Sequence, residues 1–360
     1  MVQKRNYGVE ILRIVSMIMI ILLHYFNFGG GLYSCAEGTA SWYVVWLCEA
    51  ICFCSVNCYV LISGYFQSAS TSPRGISKIV KLERSIWFYS FFIMIIFAVL
   101  GIYEWSLGNI FSYAFPVLTK KYWFVTVYIC MYLLSPYMNL LISTMRKADM
   151  EKMLGILLVF FSVIPSVIPY KEWTLIQEGG YNVVWFVCLY FVGAYLRLYY
   201  DKNKLGNSRY IIIYSVCISF VWFSKILFKI AVTHITFLNV YGEAFFYEYN
   251  NIFVFLSSVM LFLLFKEFDV KSIKVSKFIK VIGSCSFAVY LIHAHPMVNE
   301  IIWRGLHTDS WYKTSAIIVH AIVCAVAIYG GCVIIELIRR KIFAYLEKIF
   351  NRRKTDEEKE

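Results

Sequence analysis

Charge is what this chain has least of. Only 16% of its 360 residues are Asp, Glu, Lys or Arg, against about 25% in soluble proteins, and no stretch is polar enough to form a soluble domain larger than a loop. AVILMFWYC residues make up 60% and the mean hydropathy is +0.67, which excludes the pair of soluble domains that this length would otherwise suggest. Disorder is excluded as well, because 30 Phe, 28 Tyr and 10 Trp are far more aromatics than a disordered chain carries. The 11 cysteines include no CxxC pair with a matching partner or histidine, so neither a zinc site nor a disulfide framework is supported. Cys48, Cys52, Cys54 and Cys58, in the setting CEAICFCSVNCYV, read as small apolar residues of a membrane helix. No internal repeat is apparent. The first apolar run lacks a convincing small-residue cleavage site and carries Arg13, which argues against a removable signal peptide. Leu32-Tyr33-Ser34-Cys35 is a poor lipobox.

What is there comes in blocks long enough to cross a bilayer, which takes about 20 apolar residues as helix. Ten spans are expected, at 8–28, 42–64, 85–104, 122–143, 153–170, 180–196, 210–230, 247–265, 281–300 and 313–337. Continuous apolar runs, not alternating ten-residue segments, mark an all-α polytopic membrane protein and exclude a barrel. The net charge of +12 has its source in the loops. With the N-terminus inside, the inner segments hold 26 Lys and Arg and the outer segments 4, the asymmetry of cytoplasmic loops. Both termini are therefore expected in the cytoplasm, the span count is even, and no nucleic-acid partner is expected. NRRKTDEEKE at the end reads as a solvated, frayed tail.

Ionisable residues inside spans are costly and usually functional. In the first span Glu10 and Arg13 are followed, after ten residues, by His24. Eleven positions at 100° come within about 20° of three turns, so Arg13 and His24 share one helix face about 16 Å apart. Glu10 lies three residues before Arg13 and can pair with it.

These residues carry a resemblance. Arg13-IVSMIMIILL-His24, preceded by Glu10-Ile11-Leu12, is similar to the first helix of the membrane acyltransferase family 3, whose members acylate cell-surface carbohydrates. Ile62-Ser63-Gly64-Tyr65-Phe66 resembles the turn that ends the family's second helix. Lys78, Lys81 and Arg84 fit the basic cytoplasmic segment that follows, although Glu83-Arg84 stands where two adjacent arginines are usual. Tyr122-Trp123-Phe124, Leu134-Ser135-Pro136 and Ser286-Phe287-Ala288-Val289-Tyr290-Leu291-Ile292-His293 match later motifs in order. The likeness spans about residues 5 to 340 and includes no appended hydrolase-like domain, so no second activity is expected. It implies an integral membrane acyltransferase domain over 1–340 with a charged cytoplasmic tail over 341–360, in the cell membrane.

What the resemblance implies is O-acyl transfer, most simply acetyl, from acetyl-CoA to a hydroxyl of a surface polysaccharide or its lipid-linked precursor, without a metal. Acyl-CoA, that glycan and membrane lipid are the partners. Arg13, Lys81 and Arg84 are the candidates for the CoA phosphates, since Arg and Lys bind phosphate by charge-assisted bonds. His24 is the candidate general base; Arg13 and His293 complete the catalytic candidates. His293 can orient His24, bind the acceptor or stabilise an oxyanion, and a covalent acyl-histidine step stays open. Ser63, Tyr65, Trp123 and Tyr290 are candidates for substrate binding. His295, before Pro296, reads as a helix-end residue. The outer aromatics Trp42, Trp105, Tyr113, Tyr241, Tyr247, Tyr249, Trp303, Trp311 and Tyr312 read mainly as an interfacial belt, Glu243 and Glu248 as loop acids, and Lys225 and Lys229 as snorkelling outward. A transporter or flippase of lipid-linked sugar is the competing function, lowered by the lack of paired Gly/Pro-broken helices. A non-catalytic sensor is a third.

Overall fold

An apolar run in lipid must satisfy its own backbone hydrogen bonds, and every regular element among the described residues is helical. The computed structural model describes residues 6–68, 76–168, 179–200, 206–235, 242, 244–314 and 316–357, with backbone only at 76–79, 81, 232–233 and 350–357. In chain order the helices are α1 (Tyr7–Asn27), α2 (Gly31–Ser34), α3 (Ala40–Cys52), α4 (Ser55–Gln67), α5 (Ile76–Val99), α6 (Leu107–Ala114), α7 (Trp123–Thr144) and α8 (Lys147–Leu158). Then follow α9 (Val183–Tyr199), α10 (Asn207–His234), α11 (Ile252–Lys266), α12 (Ile273–Gly283), α13 (Ser286–His293), α14 (Pro296–Gly305) and α15 (Ile317–Glu357).

Among the described residues, seven stretches are long and apolar enough to cross a bilayer: 7–27, 40–67, 82–99, 123–144, 207–231, 273–293 and 317–349. Three of the ten expected spans come out differently. The stretch 180–196 becomes the 17-residue α9, and 247–265 the 15-residue α11. Gly179 and Gly180, both at positive φ, hold the chain in a turn until Asn182 caps α9, and Asn251 caps α11. The stretch 153–170 begins earlier, as α8, and continues into a π turn at Val159–Val163; residues 169–170 lie outside the described residues. At the far end α15 runs unbroken to Glu357, so most of the tail read as frayed is helical.

α1 is the centre of the bundle and packs against α3, α4, α11, α12, α13 and α15. It starts where Asn6 accepts from the Val9 N–H at 3.1 Å and donates to the Lys266 carbonyl at 2.8 Å. Glu10 in its first turn suits the positive end of the helix dipole. α5, α10 and α15 show their apolar side chains outward (Phe92, Phe223 and Val323 among them), as a lipid-facing surface requires.

The Ser-Gly-Tyr motif is not a turn. Ser63, Gly64 and Tyr65 lie inside α4, which continues to Gln67. A Cβ on Gly64 would sit 2.3 Å from the Tyr190 carbonyl oxygen, and one on Gly193 2.5 Å from that of Leu61. Reciprocal glycines let α4 and α9 approach backbone to backbone, the small-residue contact of membrane helices. The aromatic belt is also corrected. Trp42, Tyr113, Tyr247, Tyr249 and Trp303 are buried, Trp105 is exposed, and Tyr241 and Glu243 fall outside the described residues. Nor does Lys225 snorkel: it is 5% exposed with Nζ 4.1 Å from the Trp46 ring centre, a cation–π contact that replaces water. Lys229 pairs with Glu37.

Candidate active site

His24 stands three turns from Arg13 on α1, and the two ends of that face have different surroundings. At its end His24 lines a cavity of about 300 Å3 together with Met17, Asn27, Glu49, Tyr59, Trp123, Phe124, Tyr249 and Tyr290. This is small but within the range of ligand sites.

Each wall has a local cause. α13 ends at His293, whose ring lies 5.1 Å from that of His24, centre to centre. Tyr290, one turn earlier on α13, is within 5.6 Å of Phe124. His295 caps α14 by accepting from the Met297 N–H, which agrees with its reading as a helix-end residue. On α4, Asn57 accepts from the Trp185 indole at 3.1 Å and donates to the Tyr249 carbonyl at 2.7 Å. Tyr249 N–H in turn donates to Gly179 at 2.9 Å. These bonds fix the 247–251 loop against the Gly179-Gly180 turn and close Trp123, Tyr181 and Tyr249 into a ring cluster with centres 4.5, 4.6 and 5.8 Å apart.

Polar atoms are scarce here and several have no hydrogen-bond partner. His293 Nδ1 lies 2.7 Å from the Val289 carbonyl, a bond only a protonated nitrogen can make, so Nε2 is left as an acceptor. Among the described residues that Nε2 is buried without a partner, and so is Nδ1 of His24. Two neighbouring histidines from different helices thus each carry an unsatisfied buried nitrogen, and such atoms are costly. Glu49 adds a third case: it is 5% exposed, lines the cavity, and its Oε2 is buried without a partner among the described residues. Sequence reading passed over Glu49 for the cysteines around it. The rule applied to Arg13 and His24, an ionisable residue inside an apolar span, would have found it.

The Arg13 end is built from charge. Arg13 bonds Glu10 at 3.0 Å, as their spacing suggested, and its guanidinium lies 5.9 Å from the Phe66 ring centre. Arg197, in the last turn of α9, donates to the Tyr65 carbonyl at 3.0 Å and lies 5.6 Å from the Tyr65 ring. Lys266, at the end of α11, lies 5.5 Å from the same ring. Three cations from three helices therefore gather round Tyr65 and Phe66, all partly exposed. Between the two ends runs a polar seam. Gln67 donates to the Tyr128 hydroxyl at 3.1 Å, that hydroxyl meets Ser63 at 3.0 Å, and the Tyr59 hydroxyl donates to the Arg13 carbonyl at 2.6 Å.

Of the expected site residues, His24, Trp123 and Tyr290 therefore line one cavity, and His293 is buried behind it with its ring against that of His24. Tyr65 belongs to the Arg13 end and Ser63 to the seam. Arg84 is exposed near the start of α5, whose main neighbours are α6 and α13, and the Lys81 side chain lies outside the described residues. Arg197 and Lys266 were not singled out from sequence, where they look like ordinary inner-loop cations.

Residues 6–336, nearly the whole bundle, match the acyltransferase domain of acyltransferase family 3. The chain belongs to that family. It is a membrane acyltransferase, with both histidines and the Arg13 end inside the matched region. No curated protein and no solved structure matches it.

Proposed function

We propose that this acyltransferase moves an acetyl group from acetyl-CoA to a hydroxyl of a surface polysaccharide or its lipid-linked precursor, with the Arg13 end cytoplasmic and the His24 end facing out. The pairing of His293 with His24, which lines the cavity about three turns from a cluster of cations, carries the reading. Arg13, Arg197 and Lys266 suit the CoA phosphates, because half-exposed cations keep enough water contact to exchange it for phosphate oxygens. The pantetheine arm would lie along the Gln67–Tyr128–Ser63 seam. Acetyl-CoA supplies an activated thioester carbonyl; the chain supplies position and a base. With the proton of the neutral imidazole carried on His24 Nδ1, the other His24 nitrogen can take the proton of the sugar hydroxyl as its oxygen attacks. That proton then goes to the departing CoA sulfur, so the enzyme is returned unchanged. The inner-loop excess of 26 basic residues over 4 outside supports both termini in the cytoplasm of a cell-membrane protein.

The protein in lipid nanodiscs, given [14C]acetyl-CoA and glycan from cells lacking this chain, should form an alkali-labile acetyl ester on the glycan. Label that stays on CoA with folded protein contradicts the reading. A reporter active only outside the membrane, fused after residue 340, should stay silent, and a strong signal overturns the orientation.

A further inference from the structure

We infer that Glu49 is the acceptor-binding group of the cavity, taking hydrogen bonds from two neighbouring hydroxyls of a pyranose whose ring lies against Trp123, Tyr181 and Tyr249. The inference rests on the acyl-transfer reading and adds where the sugar sits. A carboxyl 5% exposed within a membrane-crossing stretch, with a buried oxygen that no group among the described residues bonds, is expensive and persists where a ligand or proton path needs it. Glu49 shares its cavity with His24, and α3 packs directly on α1. A carboxylate offers two acceptor oxygens, the match for a vicinal diol, which presents two O–H donors. The Trp123–Tyr181–Tyr249 cluster supplies what a sugar needs beside that: ring faces with negative quadrupoles toward its C–H edge.

The surroundings leave room for the rest of a glycan. A second cavity of about 510 Å3 is lined by Trp42, Trp46, Lys225 and Glu248 among others. Trp46 meets Tyr247 at 5.1 Å, Tyr247 meets Phe53 at 6.0 Å, and Phe53 meets Tyr249 at 4.8 Å, so one aromatic wall serves both. Lys225 is held on Trp46 and Glu248 stands over Gly179, which makes the outer cavity polar at its rim.

The test compares the parent protein with Glu49→Gln and Glu49→Asp, with [14C]acetyl-CoA and glycan from cells lacking the chain as substrates. Gln has nearly the same shape, so the fold is kept, but one of its two polar atoms is now a donor. An amide donor set against a hydroxyl donor leaves a buried polar group unpaired and should raise the glycan KM about ten- to a hundredfold, with acetyl-CoA KM and kcat changed by less than about twofold. Glu49→Asp keeps both acceptors on a shorter arm and should recover part of the loss. Parental kinetics in Glu49→Gln mean a structural acid and overturn the inference. A fall in kcat alone assigns Glu49 to proton transfer and overturns it too. If the parent protein itself labels no glycan, the acyl-transfer reading has failed first, before any Glu49 variant is compared.

Discussion

The two ends of α1 solve opposite problems with one helix. At the Arg13 end every described cation lies against a carboxylate, carbonyl or ring, and each stays partly in contact with solvent. At the His24 end the polar groups are enclosed and three of them, on His24, His293 and Glu49, have atoms that no partner among the described residues satisfies. Half-exposed charge is the arrangement for catching and releasing an anion, since desolvation is slight and attraction still acts. Enclosed, unsatisfied polar atoms are the arrangement for chemistry, because a substrate completes bonds that the protein alone leaves open. Reading both ends off one helix shows why a donor with phosphates and an acceptor with hydroxyls can be handled about 16 Å apart.

The largest effect should come from breaking what holds both ends in register. Gly64→Val forces a side chain into the Tyr190 carbonyl, 2.3 Å from the Cβ position. Folded protein should be lost, seen as aggregation on size exclusion, with donor binding and transfer failing together. A folded, active Gly64→Val protein would show that the α4–α9 approach is not tight. Next, His293→Ala should separate the ends. Transfer should fall about a hundredfold or more, as loss of an acid–base partner typically does, while acetyl-CoA KM stays near the parental value. A pure KM effect would move His293 to donor binding. Smaller again is the paired variant Arg197→Gln, Lys266→Gln, expected to raise acetyl-CoA KM about tenfold through lost charge-assisted contacts with kcat preserved. Arg84→Gln in the same assay sharpens the contrast: an equal rise would bring α5 into the phosphate site. Tyr128→Phe removes the hydroxyl shared by Ser63 and Gln67 and should cost less than about fivefold, read in kcat/KM. A larger loss would put the seam in contact with the donor.

Much of this contrast was legible in the sequence, and the parts that were not have physical reasons. Arg13 and His24 could be placed on one face because helical spacing is fixed by geometry. His293 could be set at the depth of His24 from its place along the ninth expected span and from the family resemblance, but the ring contact itself joins positions far apart in the chain and needed the fold. Arg197 and Lys266 could not be picked from other inner-loop cations until three helix ends were brought together round Tyr65. Span lengths failed where glycine and asparagine overrode hydropathy: the positive-φ pair Gly179-Gly180 and the caps Asn182 and Asn251 shorten α9 and α11. Lys225 and the buried aromatics were misread because composition cannot tell an interface facing lipid from one folded inward over a cavity.

The central claim is that the His24 end performs the reaction while the Arg13 end holds the donor, and His24→Gln tests it most directly. CoA binding by calorimetry and acetyl transfer to glycan would be measured on the same nanodisc preparation. Glutamine keeps a hydrogen bond but cannot take up the hydroxyl proton, so transfer should fall about a hundred- to ten-thousandfold while the CoA Kd changes by less than about twofold. Transfer near the parental rate would make His24 structural and leave His293 as the base, and a parallel loss of CoA binding would contradict the division of labour between the two ends.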